Sequence, residues 1–100
     1  MVLEHAEIHI KPGKNAEFDA AIAHGLQTVI AKAKGYLGHT VHKGVESPSR
    51  YIMTIRWATI EDHNVGFRES QAFQDWRAIV GPFFAVPPVV EHFELVTSSH

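Results

Sequence analysis

Cysteine does not occur in the 100-residue chain, which excludes disulfides, thiolate metal sites and thiol nucleophiles. Lysine and arginine form no run, and the formal net charge is −2 at neutral pH. Nucleic acid is therefore not expected as a partner, because its binding requires clustered positive charge. No charged-then-apolar leader opens the chain, and no apolar run approaches the roughly 20 residues that span a bilayer. We expect a cytoplasmic protein without a membrane partner.

The overall composition is typical of a globular domain, with 45% hydrophobic and 20% charged residues. We assign residues 1–97 to a single domain and residues 98–100 to a frayed C-terminal tail. The histidine content is unusual, because eight histidines occur in a chain of this length. Histidine titrates near neutral pH, so these residues are the first candidates for acid–base chemistry.

Alternating apolar and polar residues predict four strands. The predicted strands cover residues 2–10, 36–44, 51–57 and 89–96. Glu4 is the one charged residue on the otherwise apolar face of the first predicted strand. On the third strand, the side chains that should lie under the helices are Tyr51, Met53, Ile55 and Trp57.

Apolar residues at three- and four-residue spacing predict two helical segments. The first runs from about Asn15 to Lys34, and Gly35 is suited to cap its end. The second segment is broken: it follows the third strand, begins again after Ser70 as an N-cap, and stops at Gly81-Pro82.

The order of elements is strand, helix, strand, strand, helix, strand. With right-handed crossovers, this order predicts an α+β, ferredoxin-like fold with a four-stranded antiparallel sheet and both helices on one face. The other face, which we expect to carry Ile52 and Val90, would remain half-apolar and in contact with water. We therefore predict a homodimer, a dimeric α+β barrel in which two sheets pair face to face.

A set of motifs spans nearly the whole chain. They are Pro12-Gly13, Gly35-Tyr36, Tyr51 to Trp57 followed by Thr59-Ile-Glu-Asp62, Phe67-Arg-Glu-Ser70, Phe73-Gln-Asp-Trp-Arg77 and Pro88-Val-Val-Glu-His-Phe93. In these motifs the chain resembles the antibiotic biosynthesis monooxygenase family, whose members form dimeric α+β barrels. The resemblance is specific for the fold and weak for the reaction, because the family includes cofactor-free oxygenases, haem-degrading enzymes and isomerase-like relatives.

The cofactor-free members of that family oxidise phenolic compounds with molecular oxygen. The resemblance to them implies a small aromatic substrate, O2 as co-substrate, and neither a cofactor nor a metal. It also implies catalytic roles for Trp57 at the end of the third strand, His42 on the second strand and His63 in the second helical segment. A histidine can take a phenolic proton at neutral pH, and the resulting anion is electron-rich enough to pass an electron to oxygen.

Haem degradation is disfavoured by the same comparison of motifs. The haem-degrading branch needs an asparagine on the first strand, a tryptophan in the second helix and a histidine about ten residues later. The matching positions hold Ala6, Phe67 and Arg77.

The predicted substrate-binding residues share the helix-facing strand surface or the aromatic stripe that follows it. They are Tyr51, Met53, Phe67, Phe73, Trp76 and Phe83. Some of the predicted catalytic and substrate-binding residues also have a purely structural interpretation. Trp57, Phe73 and Trp76 would then be packing residues, and His63 would be a solvated surface residue. A position at the dimer interface would exclude His42 from the pocket.

Two further groups of polar residues receive structural interpretations. His5, Glu7 and His9 project from one strand face, where they would need His92 or a second subunit to complete a metal site, and a hydrogen-bonded surface is the preferred interpretation. Arg68 and Arg77 are expected to form solvated ion pairs with nearby carboxylates.

Three functional hypotheses follow. The first is a cofactor-independent monooxygenase that oxidises a small aromatic or quinol-type compound with O2. The second is a non-enzymatic small-molecule-binding or stress-responsive dimeric barrel. The third is an isomerase or decarboxylating enzyme of the same fold, which would need only the acid–base half of the chemistry.

Overall fold

Four strands form one antiparallel sheet in the order β2-β3-β1-β4 in the computed structural model, which describes residues 1–99. The strands are β1 (Val2–His9), β2 (Tyr36–Lys43), β3 (Arg50–Trp57) and β4 (Val89–Phe93). The helices are α1 (Asn15–Thr28) and α2 (Gln71–Val80). Shorter pieces are a π-helix at Asp62–Phe67 and single 3-10 turns at Ile30–Lys32 and Gly81–Phe83.

The predicted βαββαβ order and four-stranded antiparallel sheet are confirmed. The core lies between the helices and one face of the sheet, where the alternation of β1 and β3 puts the apolar side chains. Its most enclosed members include Ile8, Phe18, Ile55, Trp57 and Val80. Where α1 meets α2, Gly25 leaves room for the ring of Trp76.

The first helix ends earlier than the predicted limit at Lys34. α1 stops at Thr28, whose hydroxyl donates to the carbonyl of His24 at 2.8 Å. The chain then continues through a 3-10 turn at Ile30–Lys32. The β-branched side chains at positions 28–30 disfavour further α-helix. Gly35, with φ +86°, follows this turn and does not cap α1 directly.

The second helical segment is broken as the sequence indicates, and its first part is a π-helix. The amide of Arg68 donates to the carbonyl of His63 at 2.9 Å, five residues back. α2 begins after Ser70, which has the extended backbone of an N-cap residue. The Ser70 hydroxyl donates to the carbonyl of Phe67 at 2.6 Å and does not cap α2.

The last strand corrects two predictions. β4 ends at Phe93, three residues before the predicted end, and residues 94–99 have no regular structure. Val90 pairs with Ala6 and His92 pairs with Glu4, so both side chains point toward the helices. The expectation that Val90 lies on the uncovered face was wrong, because the register with β1 sets the orientation of β4. Of the predicted tail, His100 lies outside the described residues.

The face of the sheet without helices carries a mixture of apolar and polar side chains. Phe93 and Val89 are 47% and 58% exposed there, and Ile52 is partly exposed. Glu7 on this face bonds Arg50 and His9, each at 2.9 Å. Within residues 1–99, none of the helices has both the length and the apolar character needed to cross a membrane.

Candidate active site

A cavity of about 450 Å³ lies between the β1–β4 half of the sheet and the second helical segment. Its floor is formed by strand residues, its wall by the π-helix and α2, and its outer side by the connector 84–88. The apolar lining includes Ala6, Ile8, Ile30, Met53, Phe67, Phe73, Trp76, Phe84 and Val90. A cavity of this size and character suits a small, largely apolar molecule.

Four polar or aromatic side chains form a connected cluster at the inner end of this cavity. The indole N–H of Trp57 donates to Glu4 Oε1 at 3.0 Å. His63 Nε2 lies 3.3 Å from the same oxygen, and His63 Nδ1 is 2.8 Å from Nε2 of His92. Glu4 and His63 are only 4% and 3% exposed. We refer to Glu4, Trp57, His63 and His92 as the polar cluster.

The fold assembles the polar cluster from four separate elements. Glu4 occupies a core-facing position of β1, and its pairing partner His92 points the same way from β4. Trp57 ends β3, and its ring is stacked on that of His63, with centroids 5.2 Å apart and planes at 15°. The π-helix turns His63 inward over these strands. Such local widening of a helix is frequent at functional sites.

Burial sets the charges of the polar cluster. Desolvation raises the pKa of Glu4 from 4.5 to about 6, although the Trp57 hydrogen bond and the charge of Arg68 act in the opposite direction. Desolvation, together with the charges of His92 and Arg68, lowers the pKa of His63 from 6.5 to about 4. Desolvation and Arg68 also lower the pKa of His92. At neutral pH the cluster thus holds a carboxylate beside neutral imidazoles.

This charge state fixes which atom can act on a ligand. If a neutral His63 directs its Nε2–H toward Glu4 Oε1, its Nδ1 accepts a hydrogen bond from His92 Nε2–H. His63 Nδ1 is then bonded to His92, whereas His63 Nε2 lies 3.3 Å from Glu4 Oε1 without forming a hydrogen bond. Glu4 Oε2 has no hydrogen-bond partner within residues 1–99, and Glu4 lines the cavity. Because no fully enclosed side-chain oxygen in that range lacks a partner, Oε2 is open to the cavity.

Two arginines mark the outer part of the cavity. Arg68 and Arg77 both line it and are exposed. Their guanidinium carbons lie 5.6 and 5.9 Å from the ring centroid of Phe73, within the range of cation–π attraction. In the part of the chain that the structure describes, neither arginine forms an ion pair with a carboxylate. The ion pairs expected for these two residues were therefore wrong.

The structure brings five of the predicted site residues together on the cavity wall. They are Met53, His63, Phe67, Phe73 and Trp76. The alternative of a solvated His63 was wrong, because the side chain is buried. Trp57 lies behind His63 and Glu4, fully enclosed, and so touches the polar cluster without lining the cavity. The assignment of catalytic or binding roles to these residues stays a prediction.

Three predicted residues lie elsewhere. His42 pairs with Ile52 on the face of the sheet away from the helices, because it alternates with the core-facing Val41. The hydroxyl of Tyr51 donates to Asp19 at 2.5 Å and accepts from Asn15, which ties α1 to the sheet. Phe83 packs edge-on against Phe18, with centroids 5.8 Å apart. None of the three lines the cavity.

Sequence reasoning did not select four polar residues that line or adjoin the cavity as functional: Glu4, His92, Arg68 and Arg77. For Glu4 the signal was present, because a carboxylate on the apolar face of a strand requires a partner or a function. His5, Glu7 and His9 are separated from His92 by the sheet. Among residues 1–99, no group of three or more histidine and carboxylate side chains is arranged to hold a metal ion.

Comparisons with known proteins agree with this architecture. The family model for antibiotic biosynthesis monooxygenases matches residues 1–79. The chain belongs to this family. Among antibiotic biosynthesis monooxygenase structures, one from Bordetella bronchiseptica is 38% identical, with a TM-score of 0.90 and coverage of 96% of this chain and 97% of that chain.

Two other relatives are similar to the chain, one in sequence and one in fold. YczJ of Bacillus subtilis (strain 168), an uncharacterized protein, is 39% identical over 94 residues, which cover 94% of this chain and 98% of YczJ. SnoaB of Streptomyces nogalater is a cofactor-independent oxygenase, and a variant of it superposes with a TM-score of 0.81 over 97% of this chain and 94% of that chain. Its identity of 14% supports the shared fold alone.

Proposed function

We propose that the protein is a cofactor-independent oxygenase that oxidises a small aromatic or quinol-type compound with O2. The observation that carries this proposal is a buried carboxylate, Glu4, with one oxygen open to an apolar cavity lined by aromatic side chains. Family membership and the activity of SnoaB support the same reaction class. The proposal moves the base from His63 to Glu4.

In the proposed reaction, the cavity first holds the substrate ring between apolar and aromatic side chains. Glu4 Oε2 then removes an acidic O–H or C–H proton from the substrate. Its pKa of about 6 leaves it ionised at neutral pH and more basic than an exposed glutamate, which suits a general base. His63, with a pKa of about 4, is a weaker base.

The deprotonated substrate supplies the electrons for the second half of the reaction. It transfers one electron to O2, and the two radicals combine to form a carbon–oxygen bond. With an anthrone as substrate, the reacting CH2 group becomes a carbonyl that contains one atom of O2. The other oxygen atom leaves as water with the two hydrogens of that group. O2 is the oxidant and the anthrone is the reductant, so the atoms and electrons balance.

The other members of the polar cluster position the base. Trp57 holds Glu4 Oε1 and thereby directs Oε2 into the cavity. His63 lies over the same oxygen and is itself held by His92.

Oxygen consumption with a panel of anthrones and hydroquinones tests the proposal. Glu4→Gln should lower kcat/KM by about 100-fold or more, because a general base contributes on that scale. In the wild type, kcat/KM should rise with pH through the pKa of Glu4, at about 6. His63→Ala should lower activity less than Glu4→Gln. The matched control is His24→Ala, since His24 is exposed on α1, and it should retain full activity.

The outcomes separate the three functional hypotheses. An unchanged rate in Glu4→Gln would eliminate Glu4 as the base. If the wild type binds these compounds without consuming O2, the oxygenase proposal fails and a binding protein is favoured. Proton exchange or isomerisation of an anthrone-like ketone without O2 uptake would instead favour an isomerase.

The proposal includes pairing of two copies through the open face of the sheet. Exposed apolar side chains on that face, including Val89 and Phe93, support such an interface. Light scattering at micromolar concentration should give the mass of two chains. The mass of one chain would contradict the pairing and leave the chemistry of the cavity untouched.

A further inference from the structure

We propose that the substrate carries a negatively charged group, such as a carboxylate, on its aromatic ring, and that Arg68 and Arg77 bind this group at the outer part of the cavity. The inference rests on the proposed function, because it names the substrate class for the same site. It also makes a claim about binding that can be tested without turnover.

The first observation is that two positive charges line an otherwise apolar cavity. Arg68 and Arg77 are nine residues apart in the chain, yet both guanidinium groups approach the ring of Phe73. Two planar donor groups therefore lie near the same ring on the cavity lining. Guanidinium groups bind carboxylates through paired, charge-assisted hydrogen bonds.

The second observation is that acidic residues near the two arginines do not neutralise them. Within residues 1–99, Arg68 and Arg77 are absent from all ion pairs. Asp75, which precedes Arg77 by two residues, accepts a hydrogen bond from Gln71 at 3.1 Å instead. The donors of both guanidinium groups therefore remain available to a ligand.

The third observation concerns the balance of charge along the cavity. Glu4 supplies one negative charge at the buried end, while the exposed arginines supply two positive charges further out. The influence of Arg68 on the pKa of Glu4, His63 and His92 shows that its charge is felt at the polar cluster. A ligand with one negative charge would balance this excess of positive charge.

The positions of the arginines and of Glu4 predict the orientation of the ligand in the cavity. Its anionic group would face Arg68 and Arg77, its ring would occupy the apolar middle of the cavity, and its acidic O–H or C–H would approach Glu4. The opposite orientation would bring two carboxylates together at the buried end, which is unfavourable at low dielectric. The arginines thus select both the substrate class and its orientation.

A matched pair of probes tests the inference by binding alone. 2-Naphthoate and 2-naphthamide have similar shape and differ in charge, and binding of each can be followed by calorimetry. For the wild type we expect the naphthoate to bind about 10-fold more tightly than the amide, with a preference that decreases as salt is added. In an Arg68→Gln, Arg77→Gln double variant the two probes should bind equally.

Lys34→Gln is the control for loss of charge, because Lys34 is exposed and forms no ion pair within the described residues. It should retain the preference for naphthoate. The double variant should also bind 2-naphthamide as the wild type does, which shows that its cavity is intact. Equal binding of both probes to the wild type, no binding of either, or a preference that survives in the double variant would overturn the inference.

Turnover of two further probes separates this inference from the proposed function. 1,4-Dihydroxy-2-naphthoate should consume O2 with a higher kcat/KM than 1,4-dihydroxynaphthalene. If naphthoate is preferred in binding but neither quinol consumes O2, the inference stands and the oxygenase proposal fails. If both quinols are oxidised and charge has no effect on binding or rate, the oxygenase proposal stands and the inference fails.

Discussion

Replacement of Glu4 with glutamine should affect stability in a way that depends on pH. Glutamine is nearly isosteric and its carbonyl can still accept the hydrogen bond from Trp57, so the substitution mainly removes a titratable group. Folding raises the pKa of Glu4 from 4.5 to about 6. Since a pKa change of one corresponds to about 1.4 kcal/mol, ionised Glu4 lowers the free energy of unfolding by roughly 2 kcal/mol.

The sign of this effect follows from proton binding. Below pH 4.5, Glu4 is protonated in both folded and unfolded chains and the penalty is absent. Between pH 4.5 and about 6 the folded chain retains the proton more strongly, so stability is lost as the pH rises. The free energy of unfolding of Glu4→Gln, taken relative to that of the wild type, should therefore increase by about 2 kcal/mol as the pH rises from about 4 to 7.5.

Urea unfolding of both proteins across this pH range, followed by tryptophan fluorescence, measures the difference. His63 also contributes to the pH dependence of stability, with the opposite sign, because its pKa is lowered. Subtracting the wild-type value from the variant's value at each pH cancels most of this contribution. Glu7→Gln is an informative control on the other face of β1, because bonds to Arg50 and His9 lower the pKa of Glu7 to about 2. It should lose stability relative to the wild type as the pH rises.

A pH-independent difference for Glu4→Gln would refute the claim that burial dominates at this residue. A difference of the opposite sign would show that Glu4 and His63 form a charged pair in the folded protein. In that state the carboxylate would be a poor base, and the proposed mechanism would lose its central group.

The remaining predictions concern the surroundings of the polar cluster. Gly25→Ala should lower the free energy of unfolding by about 1–2 kcal/mol in a thermal-unfolding assay, because the added methyl would lie 2.8 Å from Cζ3 of Trp76. The control is Gly81→Ala, whose added methyl meets nothing within 4 Å. It should be neutral or slightly stabilising in the same assay. Trp57→Phe should raise the pKa of Glu4 by roughly 0.7, since it removes a hydrogen bond that favours the carboxylate. This change should move the pH profile of oxygen uptake upward, and an unmoved profile would contradict the role of Trp57.

Much of the fold was predictable because periodicity and turn residues agreed along most of the chain. The strand that contains Tyr51, Met53 and Ile55 alternates except at Ile52, and its buried face in the structure is the predicted one. The orientation of β4 was not predictable in the same way. Val89 and Phe93 on one face, and Val90 on the other, are all apolar, so alternation alone could not decide which face is buried.

The place of His92 in the candidate site depends on the orientation of β4, which the sequence left undecided. With the opposite orientation, His92 would lie with His5 and His9, and a metal site on the open face could be considered. The register of β4 with β1 places His92 beside Glu4 instead. The inward position of His63 agrees with its predicted place in the pocket, whereas the π-helix that carries it was not predicted, because an α-helical period was assumed there.

The energetic balance at Glu4 is the strongest argument that this region is functional. An apolar side chain at position 4 would continue the buried face formed by Ala6 and Ile8 without a desolvation cost. Glutamate there costs roughly 2 kcal/mol at neutral pH, and the surrounding bonds do not restore its ordinary pKa. Oε1 of the carboxylate accepts the hydrogen bond of the buried Trp57 indole, but within residues 1–99 the second oxygen has no bonding partner. That oxygen is instead open to the cavity, so the carboxylate serves the core poorly and is well placed to act on a molecule bound there.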